Sequence, residues 1–83
     1  MERKITVYTK TNCIQCTMTK NELTKHGLTY KEINVEEQPT ALEELIDRNL
    51  RSMPVVLVDD NWDEAFGGFQ PDRLERFKEV VEW

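Results

Sequence analysis

The chain has 83 residues, a length that suits one domain spanning positions 1–83. Hydrophobic residues make up 39% and charged residues 33%, which is ordinary for a small soluble protein. Eleven basic against 16 acidic residues leave a net charge of −5, which argues against nucleic acid as the main partner because phosphate binding needs a basic face.

The first predicted element is Lys4-Ile5-Thr6-Val7-Tyr8, short and rich in β-branched and aromatic residues, hence a strand. Residues 9–12 are polar and turn-like, and Thr11 or Asn12 caps a helix that begins near Cys13. That helix runs to about His26 and stops at Gly27, a favourable residue past a helix end. Its apolar stripe of Ile14, Met18 and Leu23 is thin. The stretch from Leu28 to Asn34, with Tyr30, Ile33 and the adjoining Val35, reads as a second strand. Pro39 suits the first turn of a second helix, whose apolar face is Leu42, Leu45, Ile46 and Leu50. Val55-Val56-Leu57-Val58 is a buried strand. A polar turn around Trp62 follows, then a fourth strand from Ala65 to Phe69 containing Gly67 and Gly68. Pro71 opens a last helix with apolar positions Leu74, Phe77, Val80 and Val81.

The order is therefore β-α-β-α-β-β-α, an α/β fold. A strand-helix-strand start favours a parallel pair with a crossover helix. The short link between the last two strands favours an antiparallel hairpin. A mixed four-stranded sheet flanked by three helices follows. No apolar run approaches the roughly 18 residues of a bilayer span, so no membrane is expected as a partner. The opening residues lack the apolar stretch of a secretory signal, and the cytosol is the expected location.

The chemistry lies in Cys13-Ile14-Gln15-Cys16, just after the first strand and at the start of the first helix. Such a pair near a β-α-β pattern reads as a redox motif. Two intervening residues let both sulfurs meet within one helical turn. The first sulfur sits at the helix N-terminus, where free amides and the macrodipole favour the reactive thiolate. Cys13 is thus the expected nucleophile and Cys16 the resolving thiol. Lys10 and Lys20 either support the thiolate, attract an anionic substrate, or are solvated surface lysines.

The competing reading of the cysteine pair is structural zinc, which needs four ligands; only His26 is available to join, and no metal site is expected. His26 stands on the order of 20 Å along the helix from Cys13. It reads as a helix-terminal surface residue rather than a catalytic partner. Ser52-Met53-Pro54-Val55 marks either a simple turn or a cis Met53-Pro54 bond.

Taken together, Tyr8-Thr9-Lys10, Cys13-Ile14-Gln15-Cys16 and Thr19-Lys20 resemble the glutaredoxin-like NrdH-redoxins. So do Ile33-Asn34-Val35, Met53-Pro54-Val55-Val56 and Gly68-Phe69-Gln70-Pro71-Asp72. The matches span nearly the whole chain in the right order. The resemblance implies a thioredoxin-like fold with sheet order 2-1-3-4. It implies a cis Pro54 facing the cysteines, with the Met53 backbone offered to an extended substrate chain. It also implies electron donation to a class Ib ribonucleotide reductase, with recycling by thioredoxin reductase. The redox-active Cys13-Cys16 pair then needs no separate cofactor, and a monomer is expected. Substrate or partner contacts are expected from Lys10, Thr11, Ile14, Gln15, Met53, Pro54, Phe66, Gly67, Gly68, Phe69 and Asp72.

Two departures from that family stand out. Phe66 replaces its usual tryptophan, and the preceding turn is longer and carries Trp62. The Gly67-Gly68 pair is reminiscent of glutaredoxins that bind glutathione, where a backbone turn and a following acid, here Asp72, hold the γ-glutamyl end. Asp72 also suits the first turn of a helix on electrostatic grounds. A glutathione-dependent glutaredoxin is therefore the alternative function. A non-catalytic adaptor using Trp62, Phe66 and Phe69 as its contact patch is the third.

Overall fold

The computed structural model describes residues 4–74. Strand β1 (Ile5–Thr9) leads into helix α1 (Ile14–Lys25), strand β2 (Lys31–Asn34), helix α2 (Pro39–Asp47) and strand β3 (Val55–Val58). A 3-10 turn at Trp62–Glu64 precedes strand β4 (Phe66–Gly67). Residues 71–74 are helical and open α3. The expected apolar positions Phe77, Val80 and Val81 of that helix lie outside the described residues.

The sheet order is β2-β1-β3-β4. β1 and β2 are parallel, with Tyr8 opposite Ile33. β1 and β3 are antiparallel, with Val7 opposite Val56, and β4 adds antiparallel to β3, with Phe66 opposite Val56. This is the mixed sheet of the thioredoxin-like expectation.

Side chains alternate across a strand, so β1 and β3 feed two cores. Ile5, Val7, Val56 and Val58 join Leu23, Leu28, Phe66 and Leu74 on one face. Tyr8, Val55 and Leu57 join Cys16, Val35, Ala41, Leu45 and Met53 on the other. Both faces are covered, which is why Val55–Val58 is apolar at every position and buried throughout.

Several elements differ from their sequence expectation. β1 lies one residue further on, and β2 is confined to four residues. β4 is only Phe66–Gly67, because Gly68 turns the chain at φ +83°. There its N–H donates to Pro54 O at 2.8 Å. The N-cap of α1 is Cys13 itself, not Thr11 or Asn12. The stripe of α1 is also displaced: Ile14 is 78% exposed and Met18 42%, while Cys16, Thr19 and Leu23 are buried. The helix presents Cys16, Thr19 and Leu23 to the core at i, i+3 and i+7, with Leu23 as expected, and hydropathy misses the rest of the line because Thr19 counts as polar. On α2, Ala41 and Leu45 set the buried line, so the adjacent Ile46 falls on the exposed side.

Candidate active site

After β1 the chain reverses through Asn12, whose φ of 57° lies in the left-handed region that asparagine tolerates. The Thr11 N–H donates to Glu36 Oε1 at 2.9 Å, anchoring this turn to the segment after β2. Cys13 then sits in extended conformation at the N-cap of α1. Its Sγ accepts a hydrogen bond from the Cys16 N–H at 3.1 Å. The two cysteines are joined as a disulfide with their Cα atoms 5.2 Å apart. They are unequal: Cys13 is half-buried, whereas Cys16 is 2% exposed and packs in the core beneath α2. The helix N-terminus thus directs an amide at the more accessible sulfur, where negative charge is most favoured.

Two loops close around this turn. Met53 and Pro54 are buried, joined by a cis peptide bond, and Met53 shares the core cluster of Cys16. The second loop, 66–70, is tied to both neighbours. Gln15 Oε1 accepts from the Phe69 N–H at 3.2 Å, and Gln70 Nε2 donates to Gly67 O at 2.8 Å. Gly67 passes so close to the other loop that a Cβ there would lie 2.7 Å from Ser52 O. Gln15 therefore links the first turn of α1 to the loop after β4, a tie invisible in the sequence.

The remaining candidates fall into different settings. Lys10, Thr11 and Ile14 are exposed beside Cys13 in the chain, and Asp72 is exposed in the first turn of α3. Phe69 packs on the core from its loop. Phe66, expected at the contact surface, is instead a core residue of β4, with the Arg73 guanidinium 5.1 Å from its ring centre. Trp62 is half-buried between Tyr8, at 6.0 Å between rings, and the Arg48 guanidinium at 4.1 Å. Trp62, Phe66 and Phe69 therefore do not form the common exposed patch that an adaptor reading requires. Lys20 pairs with Glu32 at 3.1 Å. His26 is not a free surface residue, since its side chain is 13% exposed and its Nε2 lies 3.2 Å from Glu22 Oε2.

Sequence reasoning missed Thr9, Thr19, Glu32 and Glu36. Thr9 Oγ1 donates to Glu32 Oε2 at 2.8 Å, across the β1–β2 pair. That bond, with the Lys20 ion pair, holds the Glu32 carboxyl below the usual glutamate range. The contact joins residues 23 apart, and only the parallel strand register reveals it. Tyr8 is pushed above the usual phenol value, first by burial and then by the charges of Glu44 and Asp60, with Arg48 opposing. Among the described residues, no group of three or more His, Cys, Asp or Glu side chains is arranged to hold a metal. No helix in the described residues is long and apolar enough to cross a membrane.

The glutaredoxin family model matches residues 5–62. The chain is 43% identical over 72 residues to the glutaredoxin-like protein NrdH of Lactococcus lactis subsp. cremoris, covering 87% of this chain and 96% of that one. It is 38% identical over 73 residues to NrdH of Escherichia coli K12, covering 88% and 86%. The solved structure of the Escherichia coli NrdH-redoxin, described as glutaredoxin-like with a thioredoxin-like activity profile, superposes with a TM-score of 0.80. That alignment has 37% identity and covers 88% of this chain and 92% of that one. An accessible and a buried cysteine, bonded across the first turn of α1 on this sheet, place the chain in the glutaredoxin family as an NrdH-type thiol-disulfide oxidoreductase.

Proposed function

We propose that the protein is a dithiol electron donor of the NrdH-redoxin kind, delivering electrons to a class Ib ribonucleotide reductase and regaining them from thioredoxin reductase. The observation that carries the reading is the asymmetry of the cysteine pair, with one sulfur accessible at a helix N-terminus and the other buried one turn inside. In the reduced protein, Cys13 thiolate attacks a partner disulfide. One partner sulfur joins Cys13 and the other leaves as a thiolate. Cys16 then loses its proton and attacks Cys13 Sγ, forming the Cys13–Cys16 bond and releasing the second partner sulfur. The two sulfurs carry both electrons, so no metal or bound organic cofactor takes part. The expected setting is a cytosolic monomer.

The partner pair is supported by the NrdH relatives and by the thioredoxin-like profile of the Escherichia coli protein. A local feature points the same way. The Gly68 N–H is bonded to Pro54 O and the Phe69 N–H to Gln15, so both backbone donors of the Gly68-Phe69 turn are already engaged. A γ-glutamyl carboxylate at that turn would have to displace them.

Two coupled assays of NADPH oxidation test the proposal, with a disulfide substrate and Cys13→Ser as control. One contains thioredoxin reductase; the other contains glutathione and glutathione reductase. Turnover confined to thioredoxin reductase, and lost in Cys13→Ser, is expected. Turnover confined to glutathione would overturn the partner assignment, and Asp72→Ala would then be expected to weaken it.

A further inference from the structure

A side chain from between the two cysteines reaches out of the redox turn and covers a backbone donor on another loop. Gln15 is exposed, two residues after Cys13 in the first turn of α1. Its Oε1 accepts from the Phe69 N–H at 3.2 Å, across 54 positions of sequence. A backbone N–H only donates, so the oxygen of the Gln15 amide must face the loop. The same oxygen lies over Gly68, 3.7 Å from where a Cβ would stand. The Gly68 N–H is held differently, by the Pro54 carbonyl at 2.8 Å. That bond is backbone to backbone and belongs to the fold, whereas one replaceable side chain covers the Phe69 N–H. Because Gln15 stands only two residues from Cys13, the covered donor and the reactive sulfur lie within the span of a small peptide, on the order of 10 Å.

We propose that Gln15 is a specificity-determining residue that bars small carboxylate-bearing thiols, glutathione among them, from anchoring beside Cys13. The inference rests on the exchange function proposed above and names the side chain that selects its reductant. A carboxylate settling on the loop after β4 needs the Phe69 N–H. Gln15 denies it twice: its oxygen already holds that donor, and the partial negative charge of the oxygen faces the arriving anion. A protein disulfide brings no such carboxylate to the loop and is not opposed by this contact. With the donor uncovered, the exchange would run in two balanced steps. A glutathione thiolate attacks Cys13 Sγ and bonds to it, and Cys16 leaves as a thiolate that takes a proton from water. A second glutathione thiolate attacks the sulfur of the first, releasing oxidised glutathione and the Cys13 thiolate.

The test separates anchoring from chemistry. Oxidised wild type, Gln15→Ala and Gln15→Glu are titrated with S-methylglutathione, which has no free thiol, and with its diethyl ester, which has no free carboxylate. Backbone amide shifts are followed, that of residue 69 above all. A single hydrogen bond of this kind corresponds to about twofold to tenfold in an equilibrium constant. Gln15→Ala, which leaves the protein's charge unchanged, is expected to bind S-methylglutathione more tightly than wild type by a factor in that range. Its Phe69 amide should shift on saturation, and its affinity for the diester should not rise. Gln15→Glu places a full charge on the same donor and is expected to bind no more tightly than wild type. In the glutathione-coupled assay of NADPH oxidation, Gln15→Ala should lower the KM for glutathione more than it changes kcat. Equal affinity of wild type and Gln15→Ala for S-methylglutathione overturns the proposal. So does an equal gain for acid and diester, or Gln15→Glu behaving like Gln15→Ala. A wild type that is silent with both thioredoxin reductase and the glutathione system would overturn the exchange function, whereas the titrations read the Gln15 cover without any exchange.

Discussion

Cys13 and Cys16 are the same residue type, made different by one helical turn. The N-cap position gives Cys13 access and an amide aimed at its sulfur, while the first turn carries Cys16 into the core. Other residues are likewise defined by surroundings rather than by type. Glu32 accepts from both the Thr9 hydroxyl and the Lys20 ammonium, so its folded pKa lies below the ordinary value of 4.5. A depressed carboxyl contributes stability that is complete above its unfolded pKa and lost as pH falls through its folded pKa. Glu32 is partly exposed, which keeps the contribution small through solvent screening. Urea midpoints of wild type and Glu32→Gln should therefore differ modestly at about pH 6 and converge toward about pH 2. An unchanged difference across that range would show that the contact carries no linked charge.

At the scale of elements, the active turn is built where three segments meet: the start of α1, the Met53–Pro54 loop and the loop after β4. At Gly67, β4 passes close to Ser52, just before the Met53–Pro54 bond. Gly67→Ala drives a Cβ to within 2.7 Å of the Ser52 carbonyl oxygen, and backbone rather than a flexible side chain must move. A loss of about 1–3 kcal/mol is expected from the denaturant midpoint. Loss below a few tenths would mean that the two loops part freely. Elements with a strong local signal were legible in advance. Val55–Val58 was apolar without interruption, Pro39 announced α2, and Gly27 ended α1. The cysteine pair announced itself by spacing and by its place between strand and helix. The packing of α1 was legible only at Leu23, because the rest of its face is made of Cys16 and Thr19 while the bulkier Ile14 and Met18 look outward. Gln15 and Glu32 were equally hidden. Each bonds a group brought near only by the sheet, and no local pattern encodes a partner 54, 23 or 12 positions away unless the register is known. Phe66 misled for the converse reason, since a short β4 turns that ring into the core.

Across the whole molecule, a sheet covered on both faces holds the cysteine turn at one end. Asp59 and Asp60 meet Lys4 at the opposite end of β1 and β3, through bonds of 2.9 and 3.1 Å. Trp62 is fixed against Tyr8 and Arg48 in the turn that follows. The fold thus leaves the start of α1 as the place where a disulfide substrate meets the reactive sulfur. The most direct test is to trap the intermediate with the order of attack reversed by mutation. Reduced Cys16→Ser and reduced Cys13→Ser are each mixed with the same disulfide-bonded partner, and intact masses are read after acid quenching. Cys16→Ser should accumulate a mixed disulfide through Cys13, because no second thiol remains to release it, and Cys13→Ser should accumulate little or none. Faster trapping through Cys16 than through Cys13 would contradict the account.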